Sequence, residues 1–183
     1  PLKDKVIARI PIEMVVSVDV YRGSDTMFQD GDIDGVVFDK LTRYKDQRGW
    51  LIELYREDEV AKEFHPVMGY MSMTHAGIAR GPHEHRDQAD LFCFLGPSTF
   101  KLYLWDNRTS SKTYQNRISV LLGEDDPQSV IIPPGVVHAY KNVGSDSGLV
   151  YNFPNQLFQG PNRSLPVDEI RHEDDPETIF VLD

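Results

Sequence analysis

Cysteine is nearly absent from these 183 residues: Cys93 stands alone, which excludes an internal disulfide framework. It lies in the apolar run LFCFL, where a buried and chemically inert thiol is expected. Long apolar runs are missing too. None approaches the roughly 20 residues needed to cross a bilayer, and the opening PLKDKVIARI lacks the basic end, apolar stretch and cleavage site of a signal peptide. The expectation is a cytoplasmic protein with no membrane partner. Positive charge is scarce: 19 Lys and Arg face 29 Asp and Glu, a formal net charge of -10, which argues against a nucleic-acid partner. Any anionic ligand must then be held by a local basic pocket. Helix signals are few. They gather at Glu57–Phe64, acidic at its start, and in DDPETIF near the C-terminus, where one helical turn is expected.

What is present is the period of strands. VVFDKLTRY, WLIELYR, TFKLYLWD, SVIIPP and GLVYNF are short, rich in β-branched and aromatic residues, and cut by Gly, Pro, Asp and Asn. That spacing predicts an all-β sandwich or barrel. With 40% apolar residues, one domain with a real core is expected over residues 33–183, preceded by an N-terminal β arm over residues 1–32. Gly123–Pro127 reads as a hairpin turn, and Trp50 and Trp105 read as core or interface aromatics. Arg108 is expected to hold a turn or an interface by ion pairing rather than to touch a ligand.

The stretch GIARGPHEHRDQADLFCFLG (residues 77–96) carries the chemistry. Residues i and i+2 of a strand face one side, so His83 and His85 share a face while Glu84 points outward, and His138 can reach them from a neighbouring strand. Gly77, His83, His85, Asp90 and Gly96 resemble the first motif of the cupin superfamily, and PGVVHAYKN (residues 134–142) resembles the second. That resemblance implies a double-stranded β-helix, the jelly-roll cupin fold. A closer one rests on DGVV (34–37), DQRGWLIE (46–53), Ser72-Met73-Thr74, Arg80-Gly81-Pro82-His83, DNRTSSKTY (106–114) and Ile170-Arg171. In order and gaps these are similar to the dTDP-4-dehydrorhamnose 3,5-epimerase family over residues 33–180.

The resemblance implies an isomerase that acts on a nucleotide-linked 4-keto-6-deoxy sugar in carbohydrate biosynthesis, works as a homodimer and needs no cofactor. By position, His83 is the base that removes the proton beside the keto group, and Asp174 or its neighbour Asp175 is the carboxylate that orients it. Arg80 and His138 match positions near the diphosphate, Arg48 and Glu53 match nucleotide contacts shared with the neighbouring subunit, and Ser72 joins the substrate-binding set.

The departures are specific. Ala89 stands where the family has a lysine, Leu157 or Phe158 where it has a proton-donating tyrosine, and Met68 and Tyr70 where it has Gln and Asn. Tyr70, Tyr103, Tyr140 and Tyr151 are the candidate replacement acids. Two alternatives therefore stand beside the epimerase. In one, His83, His85, Asp90 and His138 hold a divalent metal ion. Asp90 lies one residue closer to Gly96 than the motif's usual acid, which turns it to the other face unless a bulge intervenes, leaving Asp87 or a water to complete the shell. In the other, the chain is a non-catalytic sugar-nucleotide-binding relative.

Overall fold

The computed structural model describes residues 27–183, so most of the expected N-terminal arm, residues 1–26, lies outside the described residues. The strands begin with β1 (Gln29–Asp30), β2 (Val37–Lys40), β3 (Tyr44–Asp46), β4 (Gly49–Leu51), β5 (Tyr70–Thr74) and β6 (Ala79–Glu84). They continue with β7 (Asp90–Phe94), β8 (Thr99–Asp106), β9 (Asn116–Gly123), β10 (Gln128–Ile132), β11 (Val136–Asn142), β12 (Gly148–Asn152) and β13 (Ile170–Arg171). A six-stranded sheet in the order β1-β9-β8-β11-β6-β13 and a five-stranded sheet in the order β2-β10-β7-β12-β5 form the jelly roll. A separate hairpin, β3-β4, stands apart from both.

Alternation builds the core. Along TFKLYLWD, Phe100, Leu102 and Leu104 enter the cluster between the sheets, where Phe92, Phe94, Val130, Ile132 and Val150 answer from the five-stranded side. Tyr103 and Trp105 point the other way and pack with Val137, Ala139, Phe28 and Phe180 on the outside of the six-stranded sheet. Both faces of β8 are thus apolar and covered, and its register with β11 runs unbroken from Asp106↔Val136 to Phe100↔Asn142. Trp105 is a core aromatic, whereas Trp50 is exposed on the hairpin with the Arg43 guanidinium 5.5 Å from its ring centroid. Cys93 is fully buried, and burial pushes its thiol up to about 12.

Several expectations need correction. The helix expected over Glu57–Phe64 is a single 3-10 turn at Lys62–Phe64. No residue of the segment is buried and Pro66 restricts His65, so no helical face is held. DDPETIF forms turns rather than a helix, held by the N–H of Asp175 to the carbonyl of His172 and of Thr178 to that of Asp175. Gly123–Pro127 is not a hairpin turn: β9 pairs with β8 in one sheet and β10 with β2 and β7 in the other, so the segment crosses between sheets. The last residues of the expected arm are built into the domain, with β1 parallel to the start of β9 and Phe28 against Phe180 at 5.4 Å.

Candidate active site

Strand β6 supplies the chemistry, and its neighbours aim it. His138 on β11 pairs with His83, yet Tyr140 pairs with Arg80, so β6 carries one extra residue between them. Gly81 sits in that bulge at φ +80, and a Cβ there would meet the carbonyl oxygen of His138 at 2.6 Å. The bulge brings the imidazoles together: ring centroids are 4.4 Å apart for His83 and His138 and 5.6 Å for each of the other two pairs with His85. One nitrogen from each ring lies within 4.8 Å of the others.

Asp90 stands with the histidines as the four-residue set had it, and no bulge in β7 is needed to turn it inward. It shares the inward face of β7 with Phe92 and Phe94, is 2% exposed, and puts Oδ2 3.2 Å from His85 Nε2 and 3.4 Å from His138 Nε2. Counting back from Gly96 misled because β7 ends at Phe94, and Gly96 at φ +92 is already in the turn. Asp87 stays off the cluster, with its N–H on Asp168.

The carboxylate expected behind His83 is a different one. Asp174 and Asp175 are exposed and form no pair with His83; the carboxylate beside it is Glu169, with Oε1 3.9 Å from Nδ1, too long for a hydrogen bond. Arg171 holds Glu169 from the far side, Nε donating to Oε2 at 2.9 Å. The reason is the docking of β13 on β6, which pairs Arg171 with His83 and Ile170 with Glu84 and carries Asp174 past the site. Glu169 and Arg171 stand two apart in VDEIR, a strand-face signal visible in the sequence. Asp168, likewise missed, accepts the backbone N–H groups of Arg86, Asp87 and Gln88 at 2.8–2.9 Å, and its own carbonyl accepts from His85 Nδ1.

A cavity of about 990 Å³ opens over this cluster, lined by His83, His85, Arg80, Ser72, Tyr70 and Glu169 among others. Arg80 is fixed by Thr74 Oγ1 at 3.0 Å and the Met73 carbonyl at 2.9 Å, and Arg163 and Arg171 add two further cations to the wall. Met68, Leu157 and Phe158 line it too. His138, expected at the diphosphate, is instead 2% exposed and lies beneath the cavity as a support. Arg48 and Glu53 do not reach the cavity of their own chain: Arg48 is bound to Asp46 in the exposed β3–β4 turn, and Glu53 lines a separate depression with Tyr44, Leu91 and Ser129. Ala89 is buried, its N–H held by Asn155 Oδ1 at 2.7 Å. Glu84 faces away from the histidines as expected but is covered, accepting from Asn107 Nδ2 at 2.9 Å and His172 Nε2 at 3.0 Å.

The electrostatics separate the three rings. Burial, followed by the neighbouring His138 and His85, pushes His83 down to about 2, so it stands neutral. Burial likewise lowers His138, whose Nδ1 donates to the Val136 carbonyl at 3.1 Å. His85 goes the other way: burial opposes its charge, but Asp90 and the Asp168 carbonyl outweigh it and raise its pKa. As to a metal, the donor types fit: three imidazoles and a carboxylate converge, and His83 Nδ1 and His138 Nε2 are buried without a hydrogen-bond partner.

The chain is similar to several known proteins. A probable low-salt glycan biosynthesis epimerase of Haloferax volcanii, Agl13, is 36% identical over 115 residues, 62% of this chain and 72% of its own. The spore coat polysaccharide biosynthesis protein SpsL of Bacillus subtilis is 35% identical over 147 residues, covering 80% of this chain and 93% of that one. A crystal structure of a dTDP sugar isomerase from Desulfovibrio desulfuricans has the same fold, with a TM-score of 0.70 at 21% identity over 82% of this chain and 91% of that one. The sequence profile of dTDP-4-dehydrorhamnose 3,5-epimerase matches residues 30–172, from β1 to the turn beyond β13, and so takes in every residue that lines the histidine cavity except Glu173. With the jelly roll, the histidine cavity and this match in hand, the chain belongs to the dTDP-4-dehydrorhamnose 3,5-epimerase family.

Proposed function

We propose that this protein epimerises a nucleotide-linked 4-keto-6-deoxy sugar of the dTDP type, in the synthesis of a surface carbohydrate, with His83 as the base. The observation that carries this is a neutral imidazole on the wall of a cavity that also holds Arg80, with a carboxylate behind its other nitrogen. Nδ1 of His83 faces Glu169, which leaves Nε2 to take the proton from the carbon beside the keto group. The C–H pair moves into the enolate, the keto oxygen becomes an oxyanion, and return of a proton to the opposite face inverts the carbon. An anionic diphosphate bound by the cavity arginines strengthens His83 as a base by Coulomb attraction. Glu169 takes the orienting role that the sequence had given to Asp174.

The test is solvent-deuterium exchange with dTDP-4-keto-6-deoxyglucose. Wild type is expected to incorporate deuterium beside the keto group, His83→Asn to lose this by about 10²-fold or more, and Glu169→Gln to slow it by roughly tenfold. Absence of exchange in the wild type on any 4-keto nucleotide sugar overturns the reading.

A second reading is favoured by one observation, the unpartnered and buried Nε2 of His138 beside Asp90. In it His83, His85, His138 and Asp90 hold a divalent cation, which would polarise a substrate oxygen. Stoichiometric metal in protein purified without added ions, lost in His85→Ala, is the result that supports it. The protein is further proposed to be a cytoplasmic homodimer whose Arg48–Glu53 segment reaches the partner's cavity, supported by the exposed Tyr44, Trp50 and Leu51 on the hairpin.

A further inference from the structure

Inversion at a carbon needs a proton donor on the side opposite the base, and the two facing sheets provide opposite sides. His83 belongs to the six-stranded sheet. Across the cavity, the strands of the five-stranded sheet contribute two hydroxyl groups to the lining, those of Tyr70 and Ser72 on β5. The Ser72 hydroxyl is already engaged with Tyr140 Oη at 2.8 Å, and an aliphatic alcohol is a far weaker acid than a phenol. Of the other tyrosines raised by the sequence, Tyr103 is bound to Asp183 on the outside of the opposite sheet. Tyr151 lies between Val150 and Asn152, which both turn inward, and therefore points out.

Tyr70 has the hydrogen bonding of a donor. The Asn152 amide is oriented by Asp90, its Nδ2 donating to Asp90 Oδ1 at 2.8 Å, and the same Nδ2 meets Tyr70 Oη at 2.9 Å. A carboxylate cannot donate, so an N–H faces the phenol and Tyr70 Oη must accept. Its own O–H then has no acceptor among the described residues and is left for the cavity. The ring is 47% exposed at the mouth while its oxygen reaches down to Asn152, itself 1% exposed.

We propose that Tyr70 is the catalytic acid that returns the proton to the face opposite His83, in place of the tyrosine whose position in the family is matched here by Leu157 or Phe158. This rests on the epimerase reading above. The phenol O–H breaks as the new C–H forms, the enolate pair goes into that bond and the keto group is restored. The phenolate left behind accepts the Asn152 N–H and regains its proton from water. Burial, which outweighs that hydrogen bond, raises the Tyr70 phenol to about 12, so it stands protonated at neutral pH.

The experiment measures deuterium incorporation and epimer formation separately on dTDP-4-keto-6-deoxyglucose in D₂O. In Tyr70→Phe, His83 can still remove and replace the proton on its own face. Exchange is therefore expected to stay within about threefold of wild type while epimer formation falls by about 10²-fold or more. Tyr151→Phe, on the outer face of the same sheet, is expected to leave both at wild-type values. Epimer formation by Tyr70→Phe within about threefold of wild type overturns the assignment, as does an equal fall in exchange and epimer formation. If Tyr70→Phe melts well below wild type, Asn152→Asp becomes the deciding variant: it replaces the N–H beside the phenol with an acceptor and is expected to depress epimer formation more than exchange. Equal depression of both by that variant also overturns the assignment. A wild type that shows neither signal overturns the epimerase reading itself, a result distinct from either of these.

Discussion

Asp106 illustrates how a single residue can be fixed by the groups around it. Its side chain is fully buried at the end of β8, and Arg108 Nε, Ser111 Oγ and Thr113 Oγ1 donate to it at 2.8, 2.6 and 2.6 Å. Burial alone would raise its pKa, but Arg108 and the two hydroxyls overcome that and hold the carboxyl at about 2. A carboxyl lowered in the folded state adds stability that is complete above its unfolded value of 3.8 and is lost as pH falls through about 2. Asp106→Asn is accordingly expected to cost about 2 kcal/mol at neutral pH, and to flatten the acid limb of the unfolding profile between about pH 4 and pH 2. Thermal melts over that range measure both. The ion pair of Arg108 with Asp106 was legible in DNRTSS, because the two residues stand two apart, whereas its bond to the Asp34 carbonyl at 2.7 Å was not. Asp90 was named with the three histidines, but the face it takes was not legible, and neither was the docking that sets Glu169 beside His83, since these depend on where β7 ends and on how β13 pairs with β6.

At the scale of the element, β6 is where sequence pattern and three-dimensional need part. The i, i+2 spacing of His83 and His85 was enough to place both rings on one face, but it gave no sign of the bulge that brings His83 opposite His138. Gly81 makes that bulge by taking φ +80 and lying against the His138 carbonyl. Gly81→Ala is expected to push β6 from β11, spread the three imidazoles and lower the melting temperature by several degrees, an order set by about 1–3 kcal/mol of backbone strain. Histidine ring shifts by NMR, read beside a melting curve, decide it; unchanged imidazole signals would show that the bulge does not depend on glycine. The helix expected at Glu57–Phe64 does not form because no residue of the segment is buried, so no packed face supports a weak helical propensity.

For the whole molecule, strand alternation and turn residues sufficed to read an all-β sandwich or barrel from the sequence, because the inward face of each strand is a local pattern, whereas the jelly roll rested on the resemblance to the cupins. Which strands neighbour one another was not local, and Gly123–Pro127 was misread for that reason. The exposed β3–β4 hairpin leads to a test at this scale: light scattering at micromolar protein is expected to give twice the chain mass, and Trp50→Asp to shift it towards the monomer. The docking of β13 on β6 has a further consequence, one of timing. The two sheets can close their shared core with β12, which ends at Asn152, whereas Asp168, Glu169 and Arg171 arrive later in the chain. During synthesis the shell of the protein can therefore exist before its reaction vessel does, so a growing chain offers His83 no matched carboxylate until Glu169 and β13 emerge.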